Sequence, residues 1–220
     1  MAFEAADNGQ KVILAFGDSL TWGTDPRGGG RHAFADRWPS VLEAALGGRA
    51  RVIAEGLGGR TTCFDDFAAA ADRNGARVLP TLLGSHAPLD LVIIMLGAND
   101  LKPHICGTAF GTAAGMGRLV EIVETYPYGH GYAAPQVLVV SPPHFCETMA
   151  DDGRPAAGRS IAESKALAGH YREVAEHHGC AFFDAAAVAV ASPIDGVHLD
   201  AANTRAIGEG LAPIVDALLR

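Results

Sequence analysis

The sequence predicts an α/β fold: a central parallel five-stranded sheet with helices on both faces. Three observations point to it. Strand-like and helix-like segments alternate along the chain, the order that builds parallel sheets. The third strand-like run, Leu91-Val92-Ile93-Ile94-Met95-Leu96, is uninterrupted and apolar, as a strand covered on both faces must be. Polar, glycine-bearing turns follow the first three strand-like runs, and an open parallel sheet binds its ligands at that edge.

Each element has its own signal. Residues 11–16 (Lys-Val-Ile-Leu-Ala-Phe) read as a buried strand that stops at Gly17. Residues 37–46 carry Trp38, Val41, Leu42, Ala45 and Leu46 at helical spacing and stop at Gly47-Gly48. Residues 51–54 form a short second strand, 91–96 the third, and 108–124 a helix. Residues 136–140 are the fourth strand, stopped by Ser141-Pro142-Pro143. Residues 158–178 read as a long helix ended by Gly179, a favourable cap. A short fifth strand over 180–183 and a helix over 203–219 close the chain. No repeat or linker divides the 220 residues, so one domain over 1–220 is expected. Two stretches, 24–36 with Gly28-Gly29-Gly30 and 60–89, read as long loops, which in compact domains are often functional.

Composition removes several function classes. Hydrophobic residues make up 49%, enough for a packed core. The formal net charge is −8, with no run of Lys or Arg, so no nucleic-acid partner is expected. The longest apolar run, 91–96, is too short to span a bilayer. Residues 1–10 are polar and acidic, without the basic start and apolar stretch of an export signal. A cytoplasmic protein with no membrane partner is the expectation. Cys63, Cys106, Cys146 and Cys180 are widely spaced and include no C-x-x-C pair, as expected of reduced thiols rather than disulfides or a metal site. His177-His178-Gly179-Cys180 reads as a helix end running into a strand, since no further ligands stand at a metal-binding spacing. His86, His104 and His144 read as surface or capping residues.

Four short blocks carry chemistry. Ser19 follows the first strand in Gly17-Asp18-Ser19-Leu20, where a tight turn would expose a hydroxyl and the next amides could face an oxyanion. Asp195 and His198, three apart, can face each other across one turn, so that the carboxylate fixes the imidazole tautomer. Asn99, after the third strand, offers a side-chain amide as an oxyanion donor. Gly59, after the second, can bring its N–H close to a ligand. Taken singly, each has a plainer reading: a helix cap, a surface turn, a turn asparagine, a loop glycine. Trp22 fits a substrate cleft and a core position equally well.

Together and in this order, Gly17-Asp18-Ser19-Leu20, Gly58-Gly59, Gly97-Ala98-Asn99-Asp100 and Asp195-Gly196-Val197-His198 resemble the four blocks of the SGNH (GDSL-type) hydrolases. The resemblance covers nearly the whole chain. Phe16 to Gly23, Glu55-Gly56-Leu57, Arg60-Thr61-Thr62, Pro88 to Gly97 and Val139 to Pro143 look like the bacterial arylesterase/acyltransferase branch. The resemblance implies a flavodoxin-like three-layer α/β/α sandwich. It implies a serine esterase for short aryl and alkyl esters, able to pass the acyl group to alcohols or peroxide. Ser19 is then the nucleophile, Asp195 and His198 complete the triad, and the Ser19 amide, Gly59 amide and Asn99 side chain form the oxyanion hole. No metal or organic cofactor is required. Gly58-Gly59 and the segment 145–159 depart from the branch, which bears on the acyl pocket and on subunit contacts. The glycine- and arginine-rich 24–36 loop and the segment after Phe145 leave the catalytic edge, and a homo-oligomer whose loops narrow the entrance is expected.

Two other functions compete. A carbohydrate acetylesterase would use the same site. A non-catalytic nucleotide or phosphate binder would need a phosphate fingerprint. The chain has no G-x-x-x-x-G-K-[ST], and Gly56-Leu57-Gly58-Gly59 fits G-x-G-x-x-G poorly because Thr61 takes the last place.

Overall fold

The structure, a computed structural model, describes residues 9–28, 30–150 and 152–220. Residues 1–8, most of the segment judged above to lack an export signal, lie outside the described residues, as do Gly29 and Asp151.

Five strands form one sheet: β1 (Lys11–Gly17), β2 (Ala50–Gly56), β3 (Leu91–Met95), β4 (Gln136–Ser141) and β5 (Ala181–Asp184). Their order is β2-β1-β3-β4-β5, and every neighbouring pair is parallel. The helices are α1 (Ser19–Trp22), α2 (Trp38–Ala45), α3 (Gly75–His86), α4 (Ala109–Thr125), α5 (Ile161–His178) and α6 (Ala201–Leu218).

Side-chain alternation splits the core in two. Val92 and Ile94 of β3 join Leu79, Leu83, Met116, Leu119, Leu167 and Tyr171 from α3, α4 and α5. Leu91, Ile93 and Met95 of the same strand join Trp38, Leu42, Ile207 and Leu211 from α2 and α6. All five residues of β3 are therefore buried, and each such side chain contributes roughly 1.5–3 kcal/mol of apolar burial. The uninterrupted apolar run read in the sequence has this cause.

One expectation is corrected. The stretch 60–89 is not a plain loop, because α3 occupies Gly75–His86 within it. Gly75, Pro80 and Gly84 disguise the helix, since proline and glycine are poor interior residues. Burial of Leu79 and Leu83 in the core overrides that local preference. The other long loop is ordered by pairing: Thr24 bridges Arg31, and the Asp25 amide donates to the Gly30 carbonyl at 2.9 Å. The long helix also starts later than 158. Residues 156–158 form a 3-10 turn broken at Ala157 (φ +59°), and Ser160 caps α5 by accepting from the Glu163 amide.

β1 pairs with β2 on one side and β3 on the other, so the strand order reverses there. The carboxyl ends of all three strands meet at this switch point. Gly17 is needed for room rather than for a glycine-only φ. A Cβ at this position would lie 2.0 Å from Thr21 Oγ1 and 2.8 Å from the Met95 carbonyl oxygen. Gly17→Ala is expected to push α1 off the sheet end and cost about 1–3 kcal/mol, the usual range for overpacking. Urea unfolding would measure this, and an unchanged midpoint would show that the turn yields freely.

Candidate active site

Ser19 starts α1 and is almost buried. Asp18 is the cap: its carboxylate accepts from the Leu20 amide at 2.9 Å. Gly23, with φ +91°, ends the helix after one turn. The plainer reading of Ser19 as a helix cap therefore does not hold: Asp18 is the cap, and the serine hydroxyl is left for another partner.

That partner is His198, whose Nε2 lies 2.9 Å from Ser19 Oγ. Its Nδ1 lies 2.6 Å from Asp195 Oδ2. The other carboxylate oxygen of Asp195 accepts the amides of Val197 and His198, both at 2.9 Å. Burial pushes the Asp195 carboxyl up, but the hydrogen bonds from His198 and these amides outweigh it and hold it below the usual range. An ionised Asp195 can only accept, so the proton sits on Nδ1 and Nε2 is free to take the serine proton.

Local structure fixes this turn. The Ser192 amide donates to the His198 carbonyl at 2.7 Å, and the Gly196 amide donates to the Ser192 carbonyl at 2.8 Å. Val197 and Leu199, on either side of the histidine, are buried anchors. Asp200 then caps α6 by accepting from the Asn203 amide.

The two other blocks arrive from β2 and β3. Gly59 has φ +84°, a left-handed conformation that disfavours other residues, and the Arg73 side chain lies against it. Its neighbour Gly58 faces the nucleophile: a Cβ there would stand 4.0 Å from Ser19 Cβ. Asn99 is buried beside Asp18. Its Nδ2 donates to Asp18 Oδ2 at 3.2 Å and to the Arg60 carbonyl at 3.1 Å. Both bonds are long for N–H···O contacts. Trp22 is half-buried, and the Arg31 guanidinium lies 4.9 Å over its ring.

Three neighbouring groups were not singled out from the sequence. Arg60 stacks over Phe16 at 4.3 Å and donates to the Gly17 and Glu55 carbonyls. Burial lowers its pKa to about 10, so it stays charged at neutral pH. Arg159 donates to the Ala98 carbonyl at 2.7 Å and to Asn99 Oδ1 at 2.9 Å. Asp100 accepts from the Thr62 amide and hydroxyl, tying the turn after β2 to the end of β3. Arg60 and Asp100 stand in stretches that carry the family resemblance, but nothing in the spacing gave what these three residues do, because each acts through a partner about 40 or more positions away in sequence. His32 is buried, with its Nε2 2.9 Å from the Leu199 carbonyl oxygen, and other histidines face carboxylates. His86 pairs with Glu55 at 2.9 Å, His104 faces Asp66 at 3.8 Å, and His178 pairs with Glu124 at 3.0 Å. Among the described residues no three His, Cys, Asp or Glu gather as metal ligands, and no helix is long and apolar enough to cross a membrane. All four cysteines are free.

A serine, a histidine and an aspartate hydrogen-bonded in series at the carboxyl edge of a parallel sheet define the class of serine hydrolases. Comparison with known proteins makes the assignment particular. The profile of the GDSL-like Lipase/Acylhydrolase family matches residues 15–206, and the chain belongs to that family of ester hydrolases. Among solved structures, a carbohydrate acetylesterase family member from Sinorhizobium meliloti is 54% identical, with a TM-score of 0.90, covering 96% of this chain and 99% of that one. The aryl esterase of M. smegmatis is 42% identical, with a TM-score of 0.88, over 94% of this chain and 99% of that one. Est24, a carbohydrate acetylesterase from S. meliloti, is 40% identical, with a TM-score of 0.88, over 95% and 100%. No curated protein sequence matches the chain.

Asp100 makes the site sensitive to pH. Burial is the main cause that lifts its carboxyl from 3.8 to about 6, against the bonds from Thr62. Between those values the native state holds more protons than the unfolded chain, so stability falls as pH rises from about 4 to about 6. Asp100→Asn removes this titration. Relative to that variant, the wild type is expected to lose about 2 kcal/mol between pH 4 and pH 7 in urea melts. Parallel stability curves would show that Asp100 does not titrate there.

Proposed function

We propose that the chain is a serine esterase that hydrolyses short-chain carboxylic esters, aryl and alkyl acetates, through an acyl-enzyme on Ser19. The observation that carries this is the series Asp195–His198–Ser19, with contacts of 2.6 and 2.9 Å. His198 Nε2 takes the hydroxyl proton as Ser19 Oγ bonds to the ester carbonyl carbon. The negative oxygen that results is held by the amides of Ser19 and Gly59 and by Asn99 Nδ2. Collapse of this intermediate breaks the ester C–O bond, and His198 returns its proton to the leaving alcohol. Water then enters on the same path and releases the acid. A fluorophosphonate is expected to label Ser19 once per chain and to fail in His198→Ala, as read by peptide mapping. Label on a different serine would refute the assignment.

A second reading keeps the site and changes the substrate. Two of the solved neighbours carry the name carbohydrate acetylesterase, which favours acetylated sugars as the natural ester. Relative kcat/KM on phenyl acetate and acetylated xylose separates the two.

We also propose a homo-oligomer whose neighbouring loops narrow the entrance, so that alcohols or peroxide compete with water for the acyl group. Exposed apolar side chains beside the catalytic turn support it: Met149, Val190 and Ile194 are 78%, 65% and 45% exposed. The Met149 amide donates to the Pro193 carbonyl, so this patch is part of the same rim. The cytoplasm is the compartment we propose, since free thiols suit a reducing medium. Light scattering should give a mass above that of one chain, and vinyl acetate with a primary alcohol in water should give more ester than the molar ratio predicts. A monomer, or product that merely tracks that ratio, removes this part of the proposal.

A further inference from the structure

The amide of Asn99 has two ends of nearly equal shape, so its neighbours must decide which faces the nucleophile. On one side stands Arg159, which is 8% exposed. A guanidinium only donates, so the Asn99 atom that meets its Nη2 at 2.9 Å is the oxygen. On the other side are two acceptors, Asp18 Oδ2 and the Arg60 carbonyl. The nitrogen, with both its hydrogens, therefore lies next to Asp18, the residue before the nucleophile. Only one orientation of the amide satisfies all three neighbours.

Arg159 is itself held firmly. Its Nε donates to the Ala98 carbonyl at 2.7 Å and its Nη1 to the Ala156 carbonyl at 2.5 Å. Its guanidinium lies 5.8 Å from the Phe145 ring. The chain reaches it through two left-handed residues, Ala157 and Gly158, and leaves it into the Ser160 cap of α5. The Ala156 amide donates to the Asp195 carbonyl at 2.8 Å. One short segment thus touches the backbone of the triad aspartate and the side chain of the oxyanion asparagine.

We propose that Arg159 is a positioning residue of the oxyanion hole: it holds the Asn99 amide with its nitrogen on the Asp18 side, where an N–H now donated to Asp18 Oδ2 or to the Arg60 carbonyl can be shared with the oxyanion. A donor bound to an amide oxygen also polarises the amide and strengthens its N–H as a donor. The inference rests on the esterase reading above and on Asn99 as an oxyanion donor. Arg159 touches no reacting atom, and its whole effect passes through Asn99.

The test is a double-mutant cycle on kcat and KM with phenyl acetate. Asn99→Ala is expected to lower kcat by about 10²–10³, as for one lost oxyanion donor. Arg159→Met should lower kcat about 10–100-fold, with KM changed less than about threefold. Arg159→Lys, which keeps a charged donor but not the fork, should fall between this variant and wild type. In the Asn99→Ala background the Arg159 substitution should cost less than about threefold, because its target is gone. Equal costs in the two backgrounds would overturn the proposal and leave the esterase reading intact. Full activity in Asn99→Ala would overturn the oxyanion role of Asn99, and this proposal with it. If Arg159→Met does not fold, the same cycle with Arg159→Lys gives the answer.

Discussion

The site depends on how β1 is paired. β1 runs parallel to β2 and β3 at once, in a register that sets Gly17 beside Gly56 on one side and beside Met95 on the other. Three chains therefore leave the sheet at one place, and their first residues have to share a small volume. Glycines make that volume available. A Cβ on Gly17 would strike Thr21, and a Cβ on Gly56 would strike the Trp22 backbone at 2.3 Å. The nucleophile turn, the Gly58-Gly59 turn and the Asn99 turn can meet only because these positions lack side chains. The His198 turn enters from the far end of the chain and is locked by its own hydrogen bonds and by Val197 and Leu199.

Charge is concentrated under that edge, where water is scarce. Burial lifts the Asp18 carboxyl above its ordinary range, against the Leu20 amide and the nearby Arg159 and Arg60. Burial likewise lowers both arginines, against the pull of the acids around them. Each charge would be costly alone, and each is matched by a partner or a carbonyl. Arg60 is the least well satisfied, since its buried Nε has no acceptor. An unpaired buried donor costs about 1–3 kcal/mol, and stacking on Phe16 offsets part of that. These groups fix the orientation of Asn99 and Asp18 beside Ser19.

The two stretches expected to depart from the arylesterase branch fall on structurally consequential positions. With glycine at 59, the backbone adopts φ +84° and the Arg73 side chain packs against it; a Cβ would stand 3.1 Å from Arg73 Nε. The segment 145–159 is not a passive surface loop. It returns to the catalytic turn through the Cys146 amide on the Gly196 carbonyl and ends on Asn99 through Arg159. Variation in this segment therefore reaches the oxyanion side of the site as well as the rim.

Much was legible in the sequence, and for physical reasons. The strands could be read because a parallel sheet buries both faces, so Leu91 to Leu96 had to be apolar throughout. Ser19, Asp195 and His198 could be singled out because each lies in a short local motif whose geometry is set within a few residues. Asp195 and His198 make their contact three positions apart. What the sequence could not determine depends on contacts between distant segments. α3 was hidden by Gly75, Pro80 and Gly84, and only packing of Leu79 and Leu83 against the sheet makes it a helix. Arg60 and Asp100 stand in stretches that carry the family resemblance, but neither their contacts nor those of Arg159 have a local signature. Their roles exist only once β1, β2 and β3 are side by side and the segment between β4 and α5 has brought residue 159 back to residue 99. Sequence by itself determined the order of the elements and the local setting of Ser19. Tertiary structure decided which buried charges and amides face it, because hydrogen-bond orientation is set by whatever lies across the gap.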